Sequence, residues 1–133
     1  MKQRCCIYCR IDGQQTEQNQ RAMEWQLDAL RTAAAALDLI VTSEITVFES
    51  GIPPLRQSIK TLIRDARHGR YDCVLVVNPS RLARSSEDLH LIGEKMNRHG
   101  IRVYTPDGPI RLATPHAFLY FRRNHEGGEA FGT

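Results

Sequence analysis

A chain of 133 residues holds one domain with a buried core and is too short for two of ordinary size, and its 41% hydrophobic and 25% charged residues exclude a globally disordered polymer. The formal net charge of +3 is too mild to mark a nucleic-acid partner by itself, although arginine, the side chain of bidentate phosphate contact, greatly outnumbers lysine. No apolar run reaches membrane-spanning length and no signal peptide is evident, so a cytoplasmic location and no membrane partner are expected.

The stretch from Arg4 to Arg10 reads as a first strand. Strand side chains alternate faces, so Cys6 and Cys9 point in opposite directions despite their Cys-x-x-Cys spacing. With Cys5 and Cys73 they are expected to be buried, reduced thiols and not a metal site. A polar loop from Gly13 to Asn19 leads to a helix from about Gln20 to Leu37, with Met23, Leu27, Leu30 and Ala34 recurring at helical spacing and facing the sheet. Leu39 to Phe48 is the next strand, with Val41, Ile45 and Val47 as its pattern. The loop Glu49-Ser50-Gly51-Ile52-Pro53-Pro54 follows, and then a helix with Leu55, Ile59, Leu62, Ile63 and Ala66 on one side, closed by Gly69.

Val74, Leu75, Val76 and Val77 form an unbroken apolar run, as expected of a strand buried on both faces at the centre of a parallel sheet. Pro79 cannot donate to a ladder, so the strand stops near Asn78. Ser85, with Asp88 three residues on, predicts a capped helix whose apolar stripe is Leu89, Ile92 and Met96 and whose end is Gly100. Ile101 to Tyr104 is a last short strand, and Pro106-Asp107-Gly108-Pro109 is expected to turn the chain away. Apolar residues continue to Phe121, whereas the stretch from Asn124 to Thr133 is polar, without period, and expected to fray. The alternation of strand and helix predicts an α/β fold, a three-layer sandwich around a mainly parallel sheet, with the strand order left open.

Loops that follow parallel strands gather at one edge, where such sheets bind ligands. That edge would collect Arg10 and Asp12 from the first loop, Glu49, Ser50 and Arg56 from the second, and Ser80, Arg81 and Arg84 from the third. Four converging arginines repel one another unless a polyanion joins them or each finds a local carboxylate such as Glu49 or Asp88.

Four motifs in order carry a family resemblance. Tyr8-Cys9-Arg10-Ile11-Asp12 resembles an opening strand that normally reads Tyr-Ala-Arg-Val-Ser, and Gln26-Leu27-Asp28-Ala29-Leu30 resembles a first-helix signature. Ser50-Gly51 with Arg56 resembles a second-loop motif, and Ser80-Arg81-Leu82-Ala83-Arg84 resembles an Asp-Arg-Leu-x-Arg loop. Together, over roughly residues 4 to 115, they resemble the catalytic domain of the serine recombinases, the resolvase and invertase family.

The resemblance implies cleavage of a DNA phosphodiester by a serine hydroxyl, a 5′-phosphoserine link, strand exchange by subunit rotation and religation, with neither metal nor cofactor. It implies phosphate-binding roles for Arg10, Gln26, Arg56, Ser80, Arg81 and Arg84, and catalytic positions at Asp12, Arg10, Arg56, Arg81 and Arg84. Asp12 stands where the family has its nucleophile, and the family's interface helix is truncated, so strand cleavage and exchange are expected to be impaired on both counts. A carboxylate nucleophile would give an acyl phosphate prone to hydrolysis, and a nucleophile relocated to Ser80 would have to approach the phosphate from another direction.

Residues 1–115 are expected to form the catalytic domain, and 116–133 the truncated start of the family's interface helix with a frayed tail. The function expected is that of a site-specific DNA recombinase, with DNA and a homodimer or intact recombinase as partners. The alternative is a noncatalytic DNA-binding or regulatory partner of an intact recombinase. A phosphate-binding enzyme acting on a small substrate ranks last, because the chain has neither a glycine-rich phosphate loop nor a metal-binding carboxylate pair.

Overall fold

In the computed structural model, residues 2–49, 53 and 55–112 are described. Expectations concerning residues 113–133, and Ser50 and Gly51 of the second loop, lie outside them. The elements in chain order are β1 (Arg4–Ile11), α1 (Glu17–Ala36), β2 (Ile40–Phe48), α2 (Gln57–Arg67), β3 (Cys73–Leu75), a short 3₁₀ turn (Pro79–Arg81), α3 (Ser86–Arg98), β4 (Arg102–Thr105) and β5 (Gly108–Ile110).

The sheet runs in the order β2-β1-β3-β4-β5, parallel throughout except for the β4–β5 pair. The central position expected of the third strand is the one it takes, and helices cover both faces. Alternation along β1 divides the core: Cys5, Ile7 and Cys9 pack with Met23, Leu30 and Ala34 of α1, while Cys6 and Tyr8 pack with Ile59 and Leu62 of α2 and with Ile92 and Met96 of α3. This is the three-layer α/β sandwich. Cys6 and Cys9 fall on opposite faces, and all four thiols are buried and free. Burial pushes Cys6 and Cys9 up to about 12.

Three boundaries differ from expectation, each for a local reason. α1 begins at Glu17, one turn early, because the Thr16 hydroxyl accepts the Asn19 N–H at 3.1 Å and Glu17 suits the positive helix terminus. β3 ends at Leu75, although the Val76 N–H still reaches the Tyr104 carbonyl at 3.0 Å before Asn78 starts the 3₁₀ turn. The chain does not leave after β4. It folds back as β5, with Val103 opposite Ile110, through a turn whose Gly108 has φ +124°. Ser85 caps α3 as predicted, accepting from the Asp88 N–H at 3.1 Å.

Because β2 lies on one side of β1 and β3 on the other, the loops after β1 and β3 diverge. That opening is where such sheets place a ligand.

Candidate functional site

The loops after β1, β2 and β3 meet at the opening. β1 delivers Arg10 and then Asp12, and Gly13, at φ +112°, lets the chain reverse at once. β2 delivers Glu49, Arg56 stands at the residue before α2 with its side chain turned away from the helix end, and the segment beyond β3 delivers Ser80 and Arg81 on the 3₁₀ turn and Arg84 beyond it.

Arg10 is 2% exposed, and its guanidinium is nearly used up by the protein itself. Its Nε donates to the Arg81 carbonyl at 2.8 Å and its Nη2 to the Ser80 carbonyl at 2.6 Å, while Nη1 pairs with the Asp12 carboxylate and reaches the Glu49 carbonyl at 3.5 Å. Arg56, 8% exposed, donates to the Leu82 carbonyl at 2.9 Å, the Arg81 carbonyl at 3.0 Å, the Tyr8 hydroxyl at 2.8 Å and the Glu49 carboxylate at 2.8 Å. Two buried cations thus hold the consecutive carbonyls of Ser80, Arg81 and Leu82, and of the five N–H donors on each guanidinium one remains uncommitted.

Arg56 also belongs to a closed ring. It donates to Tyr8, Tyr8 bonds Ser58 at 2.8 Å, Ser58 bonds Glu49, and Glu49 accepts from Arg56. Arginine only donates and carboxylate only accepts, so the Ser58 proton points to Glu49 and the Tyr8 proton to Ser58. Burial pushes the Tyr8 phenol up, keeping that proton in place, and burial also lowers Arg10 from the usual arginine range, with Asp12 opposing the shift.

The other two arginines are placed differently. Arg81 is half-buried, donates from Nη1 to the Arg10 carbonyl at 3.1 Å, and has an Nε that is shielded from solvent without a partner. Arg84 is exposed, and the carboxylates of Asp12 and Glu49 are taken by Arg10 and Arg56. Of the two arrangements open to converging arginines, a joining polyanion or a local carboxylate for each, Arg56 takes the second with Glu49 and Arg10 pairs with Asp12, and backbone carbonyls meet the rest of both guanidiniums. Asp12, its side chain 46% exposed, pairs with Arg10 and not with the group as a whole.

Gln26 is buried on α1, and its Oε1 accepts the backbone N–H of Arg10 at 3.3 Å, fixing the strand end. The Ser80 hydroxyl turns into its own loop and bonds Asn78 Oδ1, which also takes the Ser80 N–H at 3.1 Å. Ser58 and Asn78 were absent from the residues singled out in sequence. Asn-Pro-Ser is an Asx-turn signature, but nothing local marks Ser58. Among the described residues no group of three or more His, Cys, Asp or Glu side chains could hold a metal ion, and no helix is long and apolar enough to cross a membrane. A cavity of about 650 Å³ lies elsewhere, between the end of α3 and β4–β5, and shares no residue with the arginine cluster.

The model of one protein family, described as Resolvase, N terminal domain, matches residues 5–123. The chain belongs to the resolvase family. It thus carries a catalytic domain of the site-specific recombinase type. Its fold is similar to the N-terminal catalytic domain of TP901-1 integrase, at 23% identity over 94% of this chain and 93% of that one, with a TM-score of 0.66. It is also similar to a resolvase family site-specific recombinase from Streptococcus pneumoniae, at 16% identity, 96% and 90% coverage and a TM-score of 0.69. The C-terminal catalytic domain of ISC1926 TnpA, an IS607-like serine recombinase, matches at 20% identity, 92% and 79% coverage and a TM-score of 0.65. No curated protein matches the sequence significantly.

Proposed function

We propose that this resolvase-family domain engages the sugar-phosphate backbone of DNA as a site-specific recombinase catalytic domain whose strand cleavage is impaired, because Asp12 stands at the position of the family's serine nucleophile. The Asp12–Arg10 ion pair carries this reading. A carboxylate there offers no hydroxyl to attack phosphorus, and its charge opposes an incoming phosphate. Attack by the carboxylate itself would yield an acyl phosphate, which water hydrolyses before the bond can be returned. Ser80 is no substitute nucleophile, since its proton goes to an amide oxygen too weakly basic to remove it.

The cations divide the remaining work. Arg81, with an unpartnered Nε, and exposed Arg84 are the groups that would meet a phosphate, while Arg10 and Arg56 fix the loop that presents them. Residues 1–115 would form this catalytic domain. A homodimer or an intact recombinase would be its protein partner, and in the second case the chain is a noncatalytic DNA-binding or regulatory module.

The test is incubation of the full chain and of Asp12→Ser with supercoiled plasmid DNA carrying candidate sites, scoring covalent protein–DNA adducts after denaturation. Adducts with Asp12→Ser alone are expected. Adducts from the natural chain would refute the impairment. Salt-dependent DNA retention without adducts from either protein would favour the noncatalytic module.

A further inference from the structure

The outward side of α2 belongs to neither the arginine cluster nor the core. Its exposed positions, Gln57, Lys60, Arg64 and Arg67, follow one another three or four residues apart and form one stripe without an acid. Between Gln57 and Arg70 stand four cations and one carboxylate, a local excess of +3 that equals the formal net charge of the whole chain. The remainder of the chain is balanced, so the basic character is concentrated here. The one acid, Asp65, has a side chain only 14% exposed and holds Arg64 at 3.3 Å and Arg70 at 3.6 Å. Lys60 and Arg67 have no carboxylate within ion-pair distance among the described residues.

The stability of the helix does not call for this pattern. Lys60 and Arg64 are like charges at i, i+4, and Arg64 and Arg67 at i, i+3, spacings at which they repel. The helix dipole favours Arg64 and Arg67 near the C-terminal end but gives nothing to Lys60 in the N-terminal half. There α1 and α3 carry Glu17, Glu87 and Asp88, whereas the first turn of α2 carries no acid.

We infer that the α2 stripe binds the phosphate backbone of a second stretch of duplex DNA, apart from the one at the arginine edge; in taking DNA as the polyanion this rests on the reading proposed above. From Lys60 to Arg67 the helix axis advances about 10 Å, a length over which one strand of a duplex carries about three phosphates. An acidic protein fits less well, since no large apolar side chain is exposed on α2 to anchor it. The stretch is a second one because of where the two surfaces point. α2 lies against the face of the sheet, so its stripe looks along the sheet normal, while the arginine cluster stands at the strand ends and looks along the strands. A duplex with a persistence length of about 150 base pairs does not turn that corner within one small domain. Contact with three phosphates is weak and sequence-independent, with a dissociation constant on the order of 1–100 µM, and it lets one domain carry two DNA segments at once.

Titration of the full chain with a duplex of about ten base pairs at about 50 mM salt, read by calorimetry and sedimentation, counts the duplexes bound per chain. Two are expected. The triple variant Lys60→Gln, Arg64→Gln, Arg67→Gln is expected to bind one, with unchanged circular dichroism because only exposed, mutually repelling charges are removed. The binding it loses is expected to weaken about fortyfold between about 50 and 200 mM salt, as three phosphate contacts require. Lys60→Arg, which keeps the charge, is expected to keep both duplexes, and Arg81→Gln with Arg84→Gln to lose only the one at the edge. A triple variant that still binds two duplexes would overturn the proposal. So would a natural chain that binds one and loses it with Arg81 and Arg84, a result that leaves the recombinase reading standing. One duplex lost with the stripe and indifferent to Arg81 and Arg84 would overturn both that reading and the second stretch.

Discussion

Replacing Arg56 by alanine withdraws four hydrogen bonds at once, to the Leu82 and Arg81 carbonyls, the Tyr8 hydroxyl and the Glu49 carboxylate. The Arg81 carbonyl keeps its bond from Arg10, but the Leu82 carbonyl loses the guanidinium, and Glu49, its side chain 29% exposed, keeps only the Ser58 hydroxyl. Breaking a buried ion pair by removing one partner costs about 3–5 kcal/mol, and the partial exposure of Glu49 favours the lower end, about 3 kcal/mol. Against a typical total of about 5–15 kcal/mol this is a large loss, equivalent to a fall in Tm of roughly 10 °C for a chain of this size. Urea denaturation followed by far-ultraviolet circular dichroism measures it, because Trp25 is already exposed in the native state and reports unfolding poorly. Arg56→Lys is expected to recover less than half, since an ammonium cannot bridge Glu49 and two carbonyls as a planar fork does. A loss below about 1 kcal/mol accompanied by a large fall in DNA affinity would refute the reasoning, because Arg56 would then be a phosphate ligand and not a brace for the loop.

Arg84→Ala should behave oppositely, leaving stability within about 0.5 kcal/mol while lowering plasmid affinity and reducing the slope of log affinity against log salt by about one. Hydrogen bonds from Arg4 and Arg31 hold the carboxyls of Asp72 and Glu44 below the usual carboxylate range. The unfolded chain therefore binds these protons more readily, so their contribution to stability is complete above the ordinary carboxylate values near pH 4 and is lost as pH falls through the depressed ones. Asp72→Asn and Glu44→Gln should accordingly flatten the acid limb of a Tm-against-pH profile. Thiol titration with a disulfide reagent at pH 8 should label the native chain slowly and all four cysteines promptly in urea, since burial holds Cys6 and Cys9 protonated. Prompt native labelling would place a thiol at the surface.

What the sequence disclosed follows from which interactions leave a local mark. Apolar periodicity gave the layers, because Leu30 or Ile92 can face only one way on its helix, and the Val74-to-Val77 run marked the central strand, whereas Pro79 set only an outer limit to it beyond the observed end at Leu75. The start of α1 was missed because a run of glutamines looks like a loop until Thr16 is read as a cap. β5 was missed because Pro106 to Pro109 signals a turn without saying whether the chain returns. Strand order, and so the opening between β1 and β3, is a global property that no window of residues carries.

The arginines show the same limit at the level of the site. Their positions along the chain bring them to one edge, but sequence reading weighed them only against side chains and a ligand, whereas the acceptors that hold Arg10 and Arg56 are mostly main-chain carbonyls, which every residue carries and no sequence singles out. The brace they form is also largely independent of residue 12. Asp12 holds only one Nη1 proton of Arg10, while Nε and Nη2 stay on the carbonyls of the loop. A serine at position 12 would therefore release one donor toward a phosphate without loosening Arg81, which is why a single substitution is the right probe of whether the arrangement is competent apart from its nucleophile.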